Sequence, residues 1–309
     1  MDVEQKTFRL MTLQSRLLHG EVLRKRALAQ EFGVSERSIQ RDLENLRVYF
    51  EQQGPPRELI YSRGKGGFRL DGGEQLLTGP ELLYICKILL ESRSIPQREM
   101  EQLIRKLLGS AASDETRRQV ESLVQNELFH YIPPRHGKSV IDTVWQLGQS
   151  IKRQQVLDIA YSRPGKDGPI HRQVEPVGLM FSDFYFYLIA FLLDEEGNRR
   201  FPDADTPTIY RVDRIEALKE TGRRFQMPYK DRFQEGEFRK RVQFMTVGPL
   251  RKVRFKYKGP YIDNILDRLP TAEILREDTD GWVIEAECYG NGIEVWLRGQ
   301  GDRVEVMDL

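Results

Sequence analysis

The chain has 309 residues, of which 39% are hydrophobic and 31% are charged, and its formal net charge at pH 7 is +1. This balance excludes a largely disordered chain and predicts two or three globular domains, each with its own core. A nearly neutral chain can meet an anionic partner only through local basic patches.

The sequence has no pattern typical of a membrane or secreted protein. No apolar run approaches the roughly 18 to 20 residues that a membrane helix needs. The N-terminus MDVEQKTFRLMTLQ lacks the basic start and apolar core of a signal peptide. Cys86 and Cys288 are far apart, which argues against a disulfide framework or a cysteine zinc site. We therefore expect a cytoplasmic protein without membrane association.

Residues 7–50 have helical periodicity, and the stretch LRKRALAQEFGVSERSIQRDLENLRVYF at 23–50 predicts two helices joined by a tight turn. Ala27, Leu28, Ala29 and Phe32 are expected on the inner face of the first helix. Gly33 suits the left-handed position that ends that helix. The second helix then needs an N-cap oxygen, which the following serine supplies.

The second of these helices has two distinct faces. Ile39, Leu43 and Leu46 follow i, i+4, i+7 spacing and are expected to face inward. The opposite face exposes polar side chains in its first two turns, as a helix that reads the major groove does. An ordinary helical hairpin with a solvated charged face is the alternative. The predicted DNA contacts here are Ser35, Arg37, Ser38, Gln40 and Arg41.

A β-hairpin is predicted over residues 58–70, after a chain break at Gln53-Gly54-Pro55-Pro56. The strands LIY and FRL flank a glycine-rich tip that carries two cations, Arg63 and Lys65. Such a tip can follow a phosphate backbone or reach into a minor groove. The alternative is a merely solvated turn.

This order of two helices and a hairpin resembles the winged helix-turn-helix of bacterial DeoR-type regulators, whose signature centres on stretches such as FGVSERSIQRDLENL. The resemblance covers residues 8–70. It implies that residues 1–73 form a DNA-binding domain and that a double-stranded DNA operator is its partner.

A helical connector is predicted over residues 74–138. Thr78-Gly79-Pro80-Glu81 is a capping box with proline in the first turn, and it opens the apolar run LLYICKILL. Two amphipathic helices follow at 95–108 and 114–126. A further helix at 139–152 leads into a region of strand patterns.

The run FYFYLIAFLL at 184–193 is apolar on both faces, which is typical of a strand without a solvent-exposed side. Alternation places Phe184, Phe186 and Leu188 on one face, where we expect plain core. Tyr187 lies on the opposite face, where a buried hydroxyl needs one hydrogen-bond partner.

Residues 139–225 resemble the WYL domain, a small Sm-like β-barrel found behind such winged helices. The motif that names the family falls on Phe186-Tyr187-Leu188, and the family's strand-ending tyrosine matches Tyr161. Its Arg-x-Val-x-Pro segment matches RQVEP at 172–176, and its closing F-R-L-D-R-I matches YRVDRI at 210–215.

This resemblance implies a sensor for a nucleic-acid fragment or a nucleotide-like ligand. If the fold gathers the arginines, their guanidinium groups beside tyrosine rings suit phosphates and stacked bases. The residues predicted to share the ligand groove are Tyr161, His171, Arg172, Tyr187, Arg211 and Arg214.

The chain departs from the family pattern at two positions. Phe186 stands where the family has tryptophan, so it brings no indole N–H, and Thr208 stands where an arginine is often found. Within the closing motif, Asp213 and Arg214 could simply pair with each other or with neighbours.

Residues 240–309 resemble the C-terminal extension that commonly follows a WYL domain. Strands are predicted at VRFKY, WVIEAECYG and RVEVMDL, and helices at 262–269 and 292–298. Trp296-Leu297 and the glycines after it carry the likeness, which implies a compact α+β unit that helps dimer assembly.

No catalytic or metal-binding motif is present in the sequence. The four histidines are scattered without H-x-x-x-H or HExxH spacing, and neither a G-x-S-x-G elbow nor a G-x-x-x-x-G-K-[ST] loop occurs. We therefore expect no enzyme activity, no metal and no cofactor.

These segments predict a multidomain α+β protein with a winged helix-turn-helix, a helical connector, an Sm-like WYL barrel and an α+β extension. We interpret it as a homodimeric transcriptional regulator whose barrel senses an oligonucleotide or nucleotide-like effector and alters operator binding. The alternative is a single-stranded nucleic-acid-binding protein in which the barrel is the main activity.

Overall fold

The structure is a computed structural model that describes residues 2–18, 20–52, 57–71, 77–111, 113–199, 207–227 and 233–308. The predicted break at 53–56 and the predicted boundary at 73 lie outside the described residues. The chain divides into two compact units, one of Met1–Glu91 and Gln97–Ile132 and the other of Ser92–Pro96 and Pro133–Leu309.

The first unit is helical apart from one hairpin, as the sequence predicts. Its elements are α1 (Asp2–Leu18), α2 (Lys25–Glu31), α3 (Glu36–Gln52), β1 (Glu58–Ser62), β2 (Gly67–Asp71), α4 (Gly79–Ser92), α5 (Gln97–Leu108) and α6 (Asp114–Phe129).

The turn between α2 and α3 follows from its sequence. Gly33 has φ +64°, the left-handed conformation that glycine adopts without a Cβ penalty. The Ser35 hydroxyl then accepts a hydrogen bond from the Ser38 backbone N–H at 3.2 Å, which caps α3. Ala27 is exposed, so its expected place on the inner face of α2 is wrong.

The inner stripe of α3 is confirmed, since Ile39, Leu43 and Leu46 are at most 5% exposed. They join a core with α1, α2 and the hairpin, to which Leu13 and Phe50 also belong. Because this core orders one side of α3, the polar residues on its other side have fixed positions.

The hairpin is tied to the segment that precedes α2. Leu23 and Phe68 exchange both backbone hydrogen bonds, at 2.7 and 2.8 Å. A Cβ on Gly67 would lie 2.7 Å from the Leu23 carbonyl oxygen, so only glycine allows this close approach.

A buried ion pair joins α1 to α3. The Arg9 Nε lies 2.6 Å from the Asp42 Oδ2, and the side chains are 9% and 0% exposed. Asp42 is flanked in the chain by Arg41, which is exposed, and Leu43, which is core. The pair therefore fixes the part of α3 whose outer face carries the predicted DNA contacts.

The predicted capping box of α4 is confirmed for the bond that Glu81 accepts from the Thr78 backbone. The Thr78 backbone N–H and hydroxyl both donate to the Glu81 carboxylate at 2.8 Å. These bonds lower the pKa of Glu81, so it is a carboxylate at neutral pH.

The second unit contains two antiparallel sheets with helices. Its elements are α7 (Ile141–Lys152), β3 (Gln155–Ser162), β4 (Pro169–Ser182), β5 (Tyr185–Leu192), β6 (Thr208–Arg211), β7 (Ile215–Arg224), α8 (Glu235–Arg241), β8 (Leu250–Tyr257), α9 (Asp263–Arg268), β9 (Glu273–Asp278), β10 (Gly281–Tyr289), α10 (Gly292–Gly299) and β11 (Val304–Asp308).

The first sheet has five strands in the order β6-β5-β4-β3-β7, and α7 packs against β3 and β4. A 3₁₀ turn at Val212–Arg214 joins β6 to β7, which lie at opposite edges of the sheet. Among the described residues no ladder joins these two edges. The predicted closed barrel is therefore not confirmed.

The apolar run in β5 is only partly core. Leu188, Ile189 and Ala190 are fully buried, which confirms that both faces of the strand are covered. Phe184 lies in the turn before β5 and is 38% exposed, so its expected place in the core is wrong. Phe186 is half-buried, with its ring 5.2 Å from that of Phe181.

The last segment folds as β8-α9-β9-β10-α10-β11, with strand order β11-β8-β10-β9. This is a split βαβ arrangement of the ferredoxin-like type, with the helices contributing to one core. Strand β9 was not predicted, because EILRED has no apolar alternation and is exposed on both faces. Helix α8 was also missed.

None of the helices within the described ranges is both long and apolar enough to cross a membrane.

Loss of the buried ion pair should loosen α3 selectively. Asp42→Ala leaves the Arg9 guanidinium buried without its partner, which costs about 3 to 5 kcal/mol. Hydrogen exchange followed by mass spectrometry should show faster exchange in α1 and α3, and Arg9→Met/Asp42→Leu should recover most of the protection. Glu31→Ala, which breaks a more exposed pair with Arg16, is the matched control. Wild-type protection of α3 in Asp42→Ala would contradict this account.

Candidate nucleic-acid interface and ligand site

The exposed side of α3 carries two arginines without acidic partners. Arg37 and Arg41 are exposed, and neither forms an ion pair with any described residue. Gln40 is half-buried beside them. The hydroxyls of Ser35 and Ser38 lie 3.0 Å apart and take part in the cap. The arginines are thus the side chains on this surface that are best placed to reach a phosphate or a base.

The hairpin tip adds further positive charge. Arg63 and Lys65 are exposed and have no ion pair within the part of the chain that the structure describes. The Lys65 carbonyl accepts a weak hydrogen bond from Arg24 Nη2 at 3.4 Å, which brings Arg24 to the tip. Sequence reasoning missed Arg24, although the run LRKR could have indicated it.

In the second unit the sheet separates the residues that were predicted to share one groove. The Tyr161 ring packs edge-on against Tyr210 at 5.1 Å. The next residue, Arg211, points to the opposite face, where its Cζ lies 3.4 Å from the Tyr185 ring centroid. Tyr187 pairs with Arg211 in the ladder and so shares that second face.

One hydrogen bond connects the two faces. The Arg211 backbone N–H donates to the Tyr161 hydroxyl at 3.2 Å. The hydroxyl of Tyr161 therefore supports the backbone that carries Arg211.

Arg172 lies within β4 and belongs to the Tyr161 face. It pairs with Ile159, two residues before Tyr161 on β3. Its Nη1 donates to the His171 carbonyl at 3.1 Å, and no described carboxylate pairs with it. Burial raises the pKa of the nearby Tyr210 hydroxyl, and the positive charge of Arg172 partly opposes this shift. Arg172 is a cation that remains available to an anion.

His171 lies on the other face from Arg172, since neighbours in a strand alternate. Its side chain is 75% exposed, and its Nδ1 lies 3.4 Å from the Asp158 Oδ1. Both residues border a cavity of about 610 Å³, whose lining also includes Arg172 and three further carboxylates, those of Asp194, Glu195 and Glu196. The acidic lining makes this cavity a poor phosphate site.

Arg211 is held by a buried carboxylate. Its Nε and Nη2 donate to the two oxygens of Asp213 at 3.0 and 2.8 Å, and Asp213 is 7% exposed. Burial by itself lowers the pKa of Arg211, but Asp213 outweighs it and the pKa is raised. Of the alternatives left open for Asp213, a pair with Arg214 or with a neighbour, the structure shows a neighbour, Arg211, in a bidentate pair.

Arg214 is half-buried and forms no ion pair with a described residue. Of the three predicted ligand-site arginines, Arg172 and Arg214 thus have no ion-pair partner among the described residues, whereas Arg211 has one.

Sequence reasoning missed part of this second face. The His136 ring lies 6.2 Å from that of Tyr185, and burial lowers the pKa of His136 despite the opposing charge of Asp213. An imidazole of this kind is neutral at pH 7. His136, Tyr185, Tyr187, Arg211 and Asp213 form what we call the aromatic–arginine cluster. No local sequence pattern could have placed His136 there, because it precedes α7.

The aromatic–arginine cluster suits a flat, uncharged ring better than a phosphate. Tyrosine rings and a guanidinium plane offer stacking surfaces, while the charge of Arg211 is already balanced. In the part of the chain that the structure describes, no group of three His, Cys, Asp or Glu side chains could hold a metal ion.

Comparison with known families identifies the domain to which the sheet with this site belongs. The family model described as WYL domain matches residues 142–220. These residues form a WYL domain. It comprises β3 to β6 and parts of α7 and β7, and the aromatic–arginine cluster lies within it except for His136.

Two solved structures resemble the chain at low similarity. Proteasome accessory factor B/C of Arthrobacter aurescens is 18% identical, with 99% of this chain and 46% of that one covered and a TM-score of 0.30. A CRISPR Cas-related protein is 12% identical, with 99% and 79% covered and a TM-score of 0.36. The chain therefore spans less than half the length of the first. A search among curated proteins finds no match.

Removal of Arg211 should destabilise the WYL domain. Arg211→Ala leaves the Asp213 carboxylate buried without its partner, at a cost of about 3 kcal/mol in the free energy of unfolding. Urea unfolding followed by tryptophan fluorescence measures this, since all three tryptophans lie in the second unit. Arg214→Ala, three residues on and unpaired, is the control and should cost under about 1 kcal/mol. Equal free energies of unfolding for the two variants would show that the pair between Arg211 and Asp213 does not stabilise the domain.

Proposed function

We propose that the chain is a cytoplasmic, homodimeric transcriptional regulator that binds a double-stranded DNA operator. The observation that carries this proposal is the pair of exposed arginines without acidic partners, Arg37 and Arg41, on the first two turns of a helix whose other side is buried. Cations held in this way can contact base edges and phosphates without first giving up an ion pair.

We interpret residues 2–71 as a winged helix-turn-helix, with α3 as the recognition helix and the β1–β2 hairpin as the wing. The link between Arg24 and the tip supports this interpretation, since it gathers Arg24, Arg63 and Lys65 at one place. In this interpretation α3 enters the major groove, and the tip follows the phosphate backbone.

The WYL domain is proposed to sense a short oligonucleotide or a nucleotide-like effector. Arg172 and Arg214 supply uncompensated positive charge for phosphates, and the aromatic–arginine cluster supplies surfaces on which a base can stack. Because Arg172 and the aromatic–arginine cluster lie on opposite faces of the sheet, an effector must reach around the sheet edge to contact both, which requires several nucleotides rather than a free phosphate.

Effector binding is proposed to change the relative placement of two winged helices in the homodimer. Both recognition helices can engage only when the half-sites lie about 10 bp apart, one turn of DNA, or a multiple of this. We propose no catalytic activity and no cofactor for the chain.

A second candidate function is favoured by the aromatic–arginine cluster, which also suits single-stranded nucleic acid as the main ligand. In that case the helical unit that contains α3 would only assist the binding of single strands by the WYL domain. The two functions can be separated without truncating the chain, because the α3 variants should weaken operator binding and leave single-strand binding unchanged.

The recognition-helix assignment predicts a loss of operator affinity. Arg37→Ala and Arg41→Ala should each weaken binding by about 1 to 3 kcal/mol if the arginine contacts a base bidentately. Fluorescence anisotropy on a duplex selected from genomic fragments measures the affinity.

Arg118→Ala is the matched control for these variants, because it removes from α6 of the same unit one exposed arginine that forms no ion pair with a described residue. It should bind as wild type does. Unchanged affinity in both α3 variants would overturn the assignment.

The effector assignment predicts that Arg172→Ala weakens ligand binding tenfold or more while the fold and the basal DNA affinity stay intact. Loss of one charge-assisted contact to phosphate accounts for this, at about 1.5 to 3 kcal/mol. Isothermal titration against short single-stranded DNA, RNA and cyclic nucleotides provides the measurement.

Arg163→Ala, an exposed arginine between β3 and β4, is the control and should leave the titration unchanged. The assignment fails if no member of the library binds, or if Arg172→Ala binds as tightly as wild type.

A further inference from the structure

Helix α4 is apolar on two sides, but only one of them is buried. Leu82, Cys86 and Leu90 are at most 3% exposed. Tyr84 and Ile88, one turn apart on another face, are 70% and 53% exposed. A surface helix of a monomer ordinarily has a single apolar stripe. The second stripe therefore indicates a surface that another molecule covers.

The neighbouring helix α6 extends this surface. A Cβ on Gly79 would lie 3.3 Å from Thr116 Cγ2, and Lys87 forms an ion pair with Glu127. Both helices thus run in the same direction, side by side. Counting residues from one contact to the other places Tyr84 at the same height along the helix axes as Leu123, which is 58% exposed. Exposed apolar side chains on adjacent helices form one patch.

The ion pair between Lys87 and Glu127 is exposed enough for each side chain to bind a further charged group. The side chains of Lys87 and Glu127 are 48% and 38% exposed. Helical spacing places Lys87 beside Tyr84 (i, i+3) and Tyr84 beside Ile88 (i, i+4), and it places Glu127 beside Leu123 (i, i+4). The patch therefore offers one cation and one anion, on different helices, amid apolar side chains.

We infer that this α4–α6 face, defined by Tyr84, Lys87, Ile88, Leu123 and Glu127, docks against the same face of a second copy of the chain. A two-fold contact brings each surface onto itself, so it requires a self-complementary patch. In such a contact the Lys87 of each copy meets the Glu127 of the other, and the apolar side chains meet across the axis.

The dimensions fit such a contact. Helix α4 has 14 residues and α6 has 16, which corresponds to lengths of about 21 and 24 Å. Two pairs of helices of this length stack as a four-helix arrangement.

The inference rests on the homodimer in the proposed function, and it is independent of DNA and of any effector. It is tested by charge reversal followed by sedimentation velocity in the absence of nucleic acid. Lys87→Glu and Glu127→Lys should each be mostly monomeric at a concentration where wild type is a dimer, with the dissociation constant raised at least tenfold.

An equimolar mixture of Lys87→Glu and Glu127→Lys should recover the dimer, because each copy then meets opposite charge on the other. The pairs within each copy remain repulsive in this mixture, so recovery isolates the contact between copies. Arg117→Glu, a charge reversal on another face of α6, is the control and should stay dimeric. Circular dichroism verifies that each variant folds.

A monomeric wild type, dimeric single variants or a mixture that stays monomeric would each overturn the inference. Because sedimentation reads only the oligomeric state, such a result leaves the operator-binding proposal to be judged by the α3 variants.

Discussion

A buried ion pair between Arg9 and Asp42 holds α3 against α1, and the proposed reading of DNA depends on it. Asp42 sits on the same helix as the exposed arginines, directly after Arg41, and its carboxylate is fully buried. A buried charge of this kind contributes little net stability but penalises any arrangement that separates it from its partner. It therefore restricts the rotation of α3 about its own axis, which determines where Arg37 and Arg41 point.

The WYL domain depends on a different constraint, the alternation of side chains along its strands. Tyr210 and Arg211 are adjacent in the chain but serve opposite faces of the sheet. The hydroxyl of Tyr161 and the carboxylate of Asp213 fix Arg211 from both sides. A shift in the position of Arg211 would therefore displace its contacts on both faces of the sheet. This gives the domain a physical means of coupling a bound ligand to its surroundings.

Local patterns in the sequence predicted most helices and strands, because caps, turns and apolar spacing act over a few residues. The Gly33 turn, the Ser35 cap and the Glu81 capping box are examples. The ligand site was less predictable, since the role of Arg211 depends on Asp213, Tyr185 and His136, whose proximity arises only from strand register and from the segment before α7. Family motifs named Arg172, Arg211 and Arg214 together, but only the fold distinguishes the neutralised arginine from the two that keep their charge.

The most direct test of the account is to recover the nucleic acid that the whole protein selects from a mixture of sheared genomic DNA and total RNA, and to sequence it. The account predicts short double-stranded fragments that share a two-fold symmetric sequence, with half-sites about 10 bp apart or a multiple of this. Diffuse recovery of transcripts, or of DNA without a common sequence, would contradict it.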